Sequence, residues 1–282
     1  MTDIKKLIKK IDKLEPISRI SQKVLSIIED PESSASELSE IISYDQAVTA
    51  NLLKMCNSSY FGLSRQIDSV HHAIVFLGMD QVVKIVLMSC AAKNLKQKQS
   101  GYDLQENELW RHSVASALIT RDLIEKKGQK QNYLIFTAAL LKDIGKLVLS
   151  QHVGDSFEEI NSLVTKHGLS FAEAEQKVIG IDHAELGAMI ADKWKLSSEI
   201  VDIIRNHHQP KKSLKNKFET CVVHLADIIC MMLGIGLGAD GLAYRLDNSM
   251  LEYLEFTEID IQIIMAGFGE KLEKVEELVG IS

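Results

Sequence analysis

Proline is scarce in this chain: three residues in 282, at positions 16, 31 and 210, about 1% against a usual ~5%. Its ring locks φ and removes an N–H, so long proline-free stretches dense in Leu, Ile, Ala, Glu and Lys favour helices. Cysteine is scarce as well. Cys56, Cys90, Cys221 and Cys230 stand far apart, or nine residues apart, among apolar neighbours. That spacing excludes a CxxC zinc site and a disulfide framework, and leaves buried, reduced thiols. No apolar run reaches the ~18–20 residues of a membrane span. The opening MTDIKKLIKKIDKLEP is basic and amphipathic, but it lacks the unbroken apolar centre and small-residue cleavage site of a secretory signal. The expectation is a cytoplasmic chain with no membrane association. Positive charge is also in deficit, 32 Lys and Arg against 39 Asp and Glu, for a net −7. Non-specific nucleic-acid binding rests on neutralising phosphates, so this balance argues against such a partner.

What remains is globular: 46% hydrophobic and 25% charged residues. A chain of this length buries roughly 75% of its unfolded surface, enough for one sizeable core or two smaller fused ones. Apolar residues recur at helical spacing, as in Val48, Leu52 and Met55, in Val82, Ile85 and Val86, and in Val222, Leu225, Ala226 and Ile229. Ser34-x-x-Glu37, Ser170-x-x-Glu173 and Thr257-x-x-Asp260 read as capping boxes. Alternating strand patterns with hairpin turns are hard to find. The fold class is therefore all-α, a helical bundle. The polar stretch KNLKQKQSGYDLQEN is the best linker, separating an N-terminal helical part, residues 1–100, from a helical core over 105–282. The glycines of GIGLGADG match neither a dinucleotide fingerprint nor a P-loop, and read as a helix-to-helix turn. Asn57, Ser58 and Ser59 in CNSSYF have no assignable base, so capping and turn chemistry is the reading there.

Histidine placement carries the chemistry. His112 opens WRHSVASALI, Asp143 ends AALLKD, His183 begins HAELGAMIADKW, His207 and His208 close SSEIVDIIRNHH, and Asp227 lies inside HLADII. Imidazoles and carboxylates ligate divalent metals, and separate helices can bring them together in a bundle core. A lone helix histidine is usually a hydrogen-bonded structural residue; an ordered series across helices is a site candidate. His71, His72, His152 and His167 have no such company. His224, one turn before Asp227, is placed to orient that acid.

The series resembles the HD superfamily of metal-dependent phosphohydrolases and, more closely, the HDOD family of bacterial signalling proteins. EPISRISQKVLSIIEDPESSASELSEIISYDQAVTANLLKMCNSSYFG, IDSVHHAIVFLGMDQVVKIVL, LWRHSVASA, AALLKDIGKLVL, DHAELGAMIADKWKLSSEIVDIIRNHHQP and the HLAD helix carry it, over roughly residues 12–275. The resemblance implies an HD-like helical core preceded by an N-terminal helical subdomain. It places the metal positions of the superfamily on His112, Asp143, His183, His207, His208 and Asp227, and a phosphate-binding lysine on Lys146. It implies at most a divalent metal, iron, manganese or magnesium, as cofactor.

Two departures matter. The histidine of the His-Asp doublet is replaced by Lys142, whose ordinary pKa near ~10.4 leaves it charged and without a lone pair for a metal. The segment after the two histidines reads HHQPKKS, not the acidic GYP-ending segment of the related cyclic-dinucleotide phosphodiesterases. The leading expectation is a non-catalytic regulatory module acting through protein partners, not an enzyme, with homo-oligomerisation left open. A phosphohydrolase with an altered site and a nucleotide- or metal-sensing pocket without turnover are the alternatives.

Overall fold

Each capping box identified above starts a helix. The structure, a computed structural model, describes residues 7, 11, 19–30, 32–58, 61, 66–129, 133–239 and 248–279. Its first helices are α1 (Arg19–Glu29), α2 (Ala35–Ser43), α3 (Gln46–Cys56), α4 (Val70–Leu77) and α5 (Met79–Leu95). After a 3-10 turn (Ser100–Tyr102) come α6 (Glu108–Lys126), α7 (Tyr133–Leu141), α8 (Lys146–Asp155), α9 (Phe157–His167), α10 (Phe171–Ile179), α11 (His183–Lys193) and α12 (Ser198–Asn206). A second 3-10 turn (Pro210–Lys212) leads to α13 (Lys217–Met232), α14 (Asn248–Leu254), α15 (Glu258–Ala266) and α16 (Phe268–Val279). In α2, α10 and α15 the hydroxyl of Ser34, Ser170 or Thr257 accepts the third backbone N–H, and Glu37, Glu173 or Asp260 reaches back to the cap. No β-strand occurs among the described residues; Gln99 and Leu104 form an isolated bridge. The all-α expectation holds.

The chain divides into two compact units, one of residues 15–93 with 269–282, the other of residues 1–14 with 94–268. In the first, α2 packs against α1, α3 and α4, burying Leu38, Ile42, Leu52 and Met55. Asn57 is its clamp. Its Nδ2 donates to the carbonyls of Leu53 (2.8 Å) and Ile67 (2.7 Å), while its Oδ1 accepts the Ile67 N–H (2.7 Å). Ser58 donates to the Met55 carbonyl, so turn chemistry accounts for both residues; Ser59 lies outside the described residues.

In the second unit α6 packs on α7 and α13, α12 on α7 and α11, and α8 on α11. The spacing of AALLKDIGKLVL suggests one helix ending at Asp143, but the helix ends at Leu141 and a tight turn over Lys142–Gly145 precedes α8. Gly145 is the physical reason. A Cβ there would lie 2.0 Å from the His183 carbonyl oxygen and 2.8 Å from the Gly187 nitrogen, so only glycine lets this turn seat against α11. The polar stretch between α5 and α6 is not solvated throughout. Gln99, Gly101, Tyr102 and Leu104 are buried, and a Cβ on Gly101 would fall 1.7 Å from the Ser150 carbonyl oxygen. The segment is a strap seated on α8. Cys56, Cys221 and Cys230 are buried and Cys90 is half-buried, and no disulfide joins them. Burial pushes the Cys56 thiol up to about 11 and raises Cys230 as well, which makes both poor nucleophiles. No helix among the described residues is long and apolar enough to cross a membrane.

Candidate functional site

Five helices and one turn of the second unit bring the sequence candidates together in its core. His112 projects from α6, Lys142 and Asp143 from the turn, Lys146 from the start of α8, His183 from the first position of α11, and Asp227 from α13. His207 is the C-cap of α12, with His208 next. Capping sets the last two groups. Asp182 accepts the Glu185 N–H and opens α11 at His183, and Ser197 opens α12. All except His208 are buried, and His208 is mostly so.

The ligand-type atoms form two clusters, His112 with Asp143 and Asp227, and His183 with His207 and His208. In the first, the Lys142 ammonium sits among the other three. Its Nζ touches an Asp143 carboxylate oxygen, lies 2.5 Å from Asp227 Oδ1, and is 3.0 Å from His112 Nε2. Lys146 Nζ pairs with the other Asp143 oxygen at 2.9 Å. Burial opposes every one of these charges, but the pairing outweighs it. Against that penalty, Asp143 and Asp227 hold the Lys142 pKa above its ordinary value. Lys142, with Lys146 for Asp143 and the His112 bond for Asp227, holds both carboxyls well below the usual carboxylate range. His112 Nδ1 lies 2.9 Å from the Ile235 carbonyl oxygen and Nε2 2.8 Å from Asp227 Oδ1. The Ile235 carbonyl comes from the glycine-rich segment expected to be a turn. Gly236 there has φ +59° and no room for a Cβ, which would meet His112 Cβ at 2.7 Å. Residues 240–247 of that loop lie outside the described residues.

The second cluster is organised differently. His183 Nε2 and His208 Nε2 are 2.7 Å apart, a separation that requires a proton between them. His183 Nδ1 donates to Glu175 Oε2 at 2.7 Å, and Asp143 Oδ1 lies 3.6 Å from His183 Nε2. His207 donates from Nδ1 to the Ile204 carbonyl at 2.7 Å, leaving a wholly buried Nε2 with no hydrogen-bond partner. Burial, then the nearby Lys142 charge, pulls its pKa down to about 3. Burial lowers His208 too, whereas the Glu175 carboxylate overcomes burial and raises His183. His224 bonds through Nδ1 to the His207 carbonyl at 2.7 Å, which ties it to the histidine pair.

The two clusters fit a divalent cation differently. A cation bound by His112, Asp143 and Asp227 would have to stand where the Lys142 ammonium is, so that set does not fit while Lys142 is in place. The three histidines do fit. His207 Nε2 offers a buried lone pair with no donor bonded to it. Metal–nitrogen bonds of ~2.0–2.1 Å with tetrahedral spread put ligand nitrogens roughly 3.3 Å apart, so loss of the shared proton and a shift of about 0.6 Å would bring His183 and His208 to that spacing, and the ligand atoms of all three histidines lie within 4.8 Å of one another.

Glu175 and Tyr102 escaped the sequence reading. Glu175 is fully buried, accepts both the N–H and the Nδ1–H of His183, and receives the Tyr102 hydroxyl at 2.5 Å. A signal was present: Phe171, Glu175 and Ile179 share one face of α10, and an acid in an apolar row is out of place. Beyond His208, Asp202 accepts from Ser213 Oγ (2.6 Å) and from the side chains of Asn206 and Asn216 (both 2.8 Å). That folds the segment after HHQP back onto α12.

The class is thus an all-helical module whose core gathers His, Asp and Lys from separate helices. The chain belongs to the HDOD domain family, whose description matches residues 14–210. A Treponema pallidum (strain Nichols) protein, itself uncharacterized, is 25% identical over 203 residues, 70% of this chain and 38% of that protein; the chain thus spans well under half of that relative. Among solved structures, an HDOD domain protein of unknown function from Geobacter sulfurreducens is 22% identical, with TM-score 0.71 and coverage of 99% and 97% of the two chains. A Marinobacter aquaeolei VT8 protein named for signal transduction is 20% identical with TM-score 0.77, covering 95% of this chain and 60% of that one. A Shewanella amazonensis SB2B protein named as a phosphohydrolase is 23% identical with TM-score 0.64, covering 98% and 95%. These likenesses establish the fold.

Proposed function

We propose that this chain is a cytoplasmic regulatory module that acts through protein partners and does not turn over a phosphoester. One observation carries the reading: the Lys142 ammonium is held by Asp143, Asp227 and His112. Hydrolysis of the superfamily's kind needs a metal to lower the pKa of a water and to polarise the phosphoryl group. A side-chain ammonium neutralises the same carboxylates but does neither. The signalling designation of the Marinobacter relative belongs to that protein, and agrees with this reading. The test is turnover. Purified protein with added manganese, iron or magnesium is expected to leave cyclic dinucleotides and generic phosphodiesters intact. Metal-dependent turnover above ~1 per second that disappears in Asp143→Ala would overturn the proposal.

A second reading is favoured by the buried, unpartnered Nε2 of His207. On it, the three-histidine cluster takes up one divalent cation as a ligand without chemistry. Imidazole nitrogens favour Fe2+, Co2+ or Zn2+ over Mg2+.

A further inference from the structure

We propose that Glu175, itself held by Tyr102, is the positioning residue of the three-histidine cluster, presenting His183 Nε2 to a borderline divalent cation. The inference rests on the cation-binding reading of that cluster. Glu175 has no solvent exposure, and a buried carboxylate is costly unless its oxygens are occupied. Here they are. Oε2 accepts the His183 backbone N–H at 3.0 Å and its Nδ1–H at 2.7 Å, and Oε1 accepts the Tyr102 hydroxyl at 2.5 Å. Anchoring the start of α11 would need only the backbone bond. The bond to Nδ1 adds two things, a fixed ring plane and a fixed tautomer, and it turns Nε2 toward His208 at 2.7 Å and Asp143 at 3.6 Å. His207 is treated alike, its Nδ1 tied to the Ile204 carbonyl and its Nε2 turned inward. Two of the three rings thus have the outer nitrogen bonded and the inner one aimed into the cluster, the arrangement by which outer partners orient histidine ligands.

Tyr102 is held as firmly as the acid it steadies. Its carbonyl accepts the Ala239 N–H at 2.7 Å, Lys146 Nζ stands 5.4 Å from its ring centre, and the neighbouring Gly101 N–H donates to Ser150 Oγ at 3.0 Å. The strap therefore supplies a rigid donor to Glu175, and Glu175 a rigid acceptor to His183.

Titration of the metal-free protein with Co2+, followed by visible absorption, tests this. The parent is expected to bind Co2+ saturably with a nitrogen-ligand spectrum, and His207→Ala to abolish it. Glu175→Gln, which keeps the shape and removes the charge, is expected to weaken Co2+ binding 10–100-fold and to alter the spectrum. Tyr102→Phe keeps the ring and should weaken binding several-fold with the parent spectrum retained; it also serves if Glu175→Gln does not fold. If the parent binds Co2+ and Tyr102→Phe and every folded Glu175 variant match its affinity and spectrum, the positioning role is wrong while the cation reading stands. If the parent shows no saturable spectrum, the cation reading falls and this proposal with it.

Discussion

In one half of the buried cluster, two carboxylates and an imidazole close around the ammonium of Lys142; in the other, three imidazoles converge with Glu175 behind one of them. The halves come from different helices, α6, α13 and the turn before α8 in the first, α10, α11 and α12 in the second, and Asp143 reaches both. The first half has its countercharge built into the chain, and each of its charged groups is paired. The second has a shared proton at His183 and His208 and a lone pair on His207 that nothing fills. On the proposed reading, one side chain closes the first half to a cation while the second half keeps its nitrogen donors.

Removing the built-in charge breaks the comparison most severely. Lys142→Ala would leave Asp143 and Asp227 facing each other unneutralised on that side, at a cost on the order of 3 kcal/mol, read as a lower midpoint in urea unfolding. Added Mn2+ or Zn2+ should restore part of the loss by taking the vacated position. A variant that melts like the parent and ignores metal would show that Lys142 is not the countercharge.

Prying the halves apart should cost somewhat less. Gly145→Ala puts a methyl 2.0 Å from the His183 carbonyl oxygen, backbone that cannot swing aside, and is expected to destabilise by about 2 kcal/mol. Gly154→Ala, whose methyl would meet nothing nearer than 3.5 Å, should be neutral or mildly stabilising, since alanine is the better helix former. Equal effects at the two glycines in chemical denaturation would refute the close approach of the turn to α11.

A further effect is a slope with pH. His207, at about 3 in the folded chain and ~6.5 unfolded, stays neutral when folded and binds a proton when unfolded anywhere between those values. Stability therefore falls on acidification below ~6.5, by about 1.4 kcal/mol per pH unit for this one group. His208 is shifted the same way. His183 is raised, so its contribution is present at low pH and lost as pH rises through its folded pKa. Asp143 and Asp227 are depressed and lose their contribution only below ~4. Melting temperature should drop from pH 6.5 to 4.5, and His207→Gln should flatten that slope. An unchanged slope would place the titration elsewhere.

What could be read from the sequence was what is local. The capping boxes at Ser34, Ser170 and Thr257 involve groups three residues apart, and each formed as written. The Lys142 substitution was equally visible, because it sits beside Asp143, but its contact with His112, 30 positions away, was not. The rest depended on distance. Tyr102 and Glu175 are separated by 73 positions, and no local rule pairs a tyrosine in a polar stretch with a helix acid. The Ile235 carbonyl that holds His112 belongs to the backbone, and every residue has one. The break after Leu141 followed from the space left by α11, which no pattern within AALLKDIGKLVL records.

The lysine in the first half has a consequence for the cell as well as for chemistry. A bound ion is borrowed: it comes from a pool, competes with other ions for its place, and leaves when a chelator takes it. The Lys142 charge is made with the polypeptide and stays with it. One half of this pocket is therefore indifferent to iron or manganese shortage, with one positive charge per molecule.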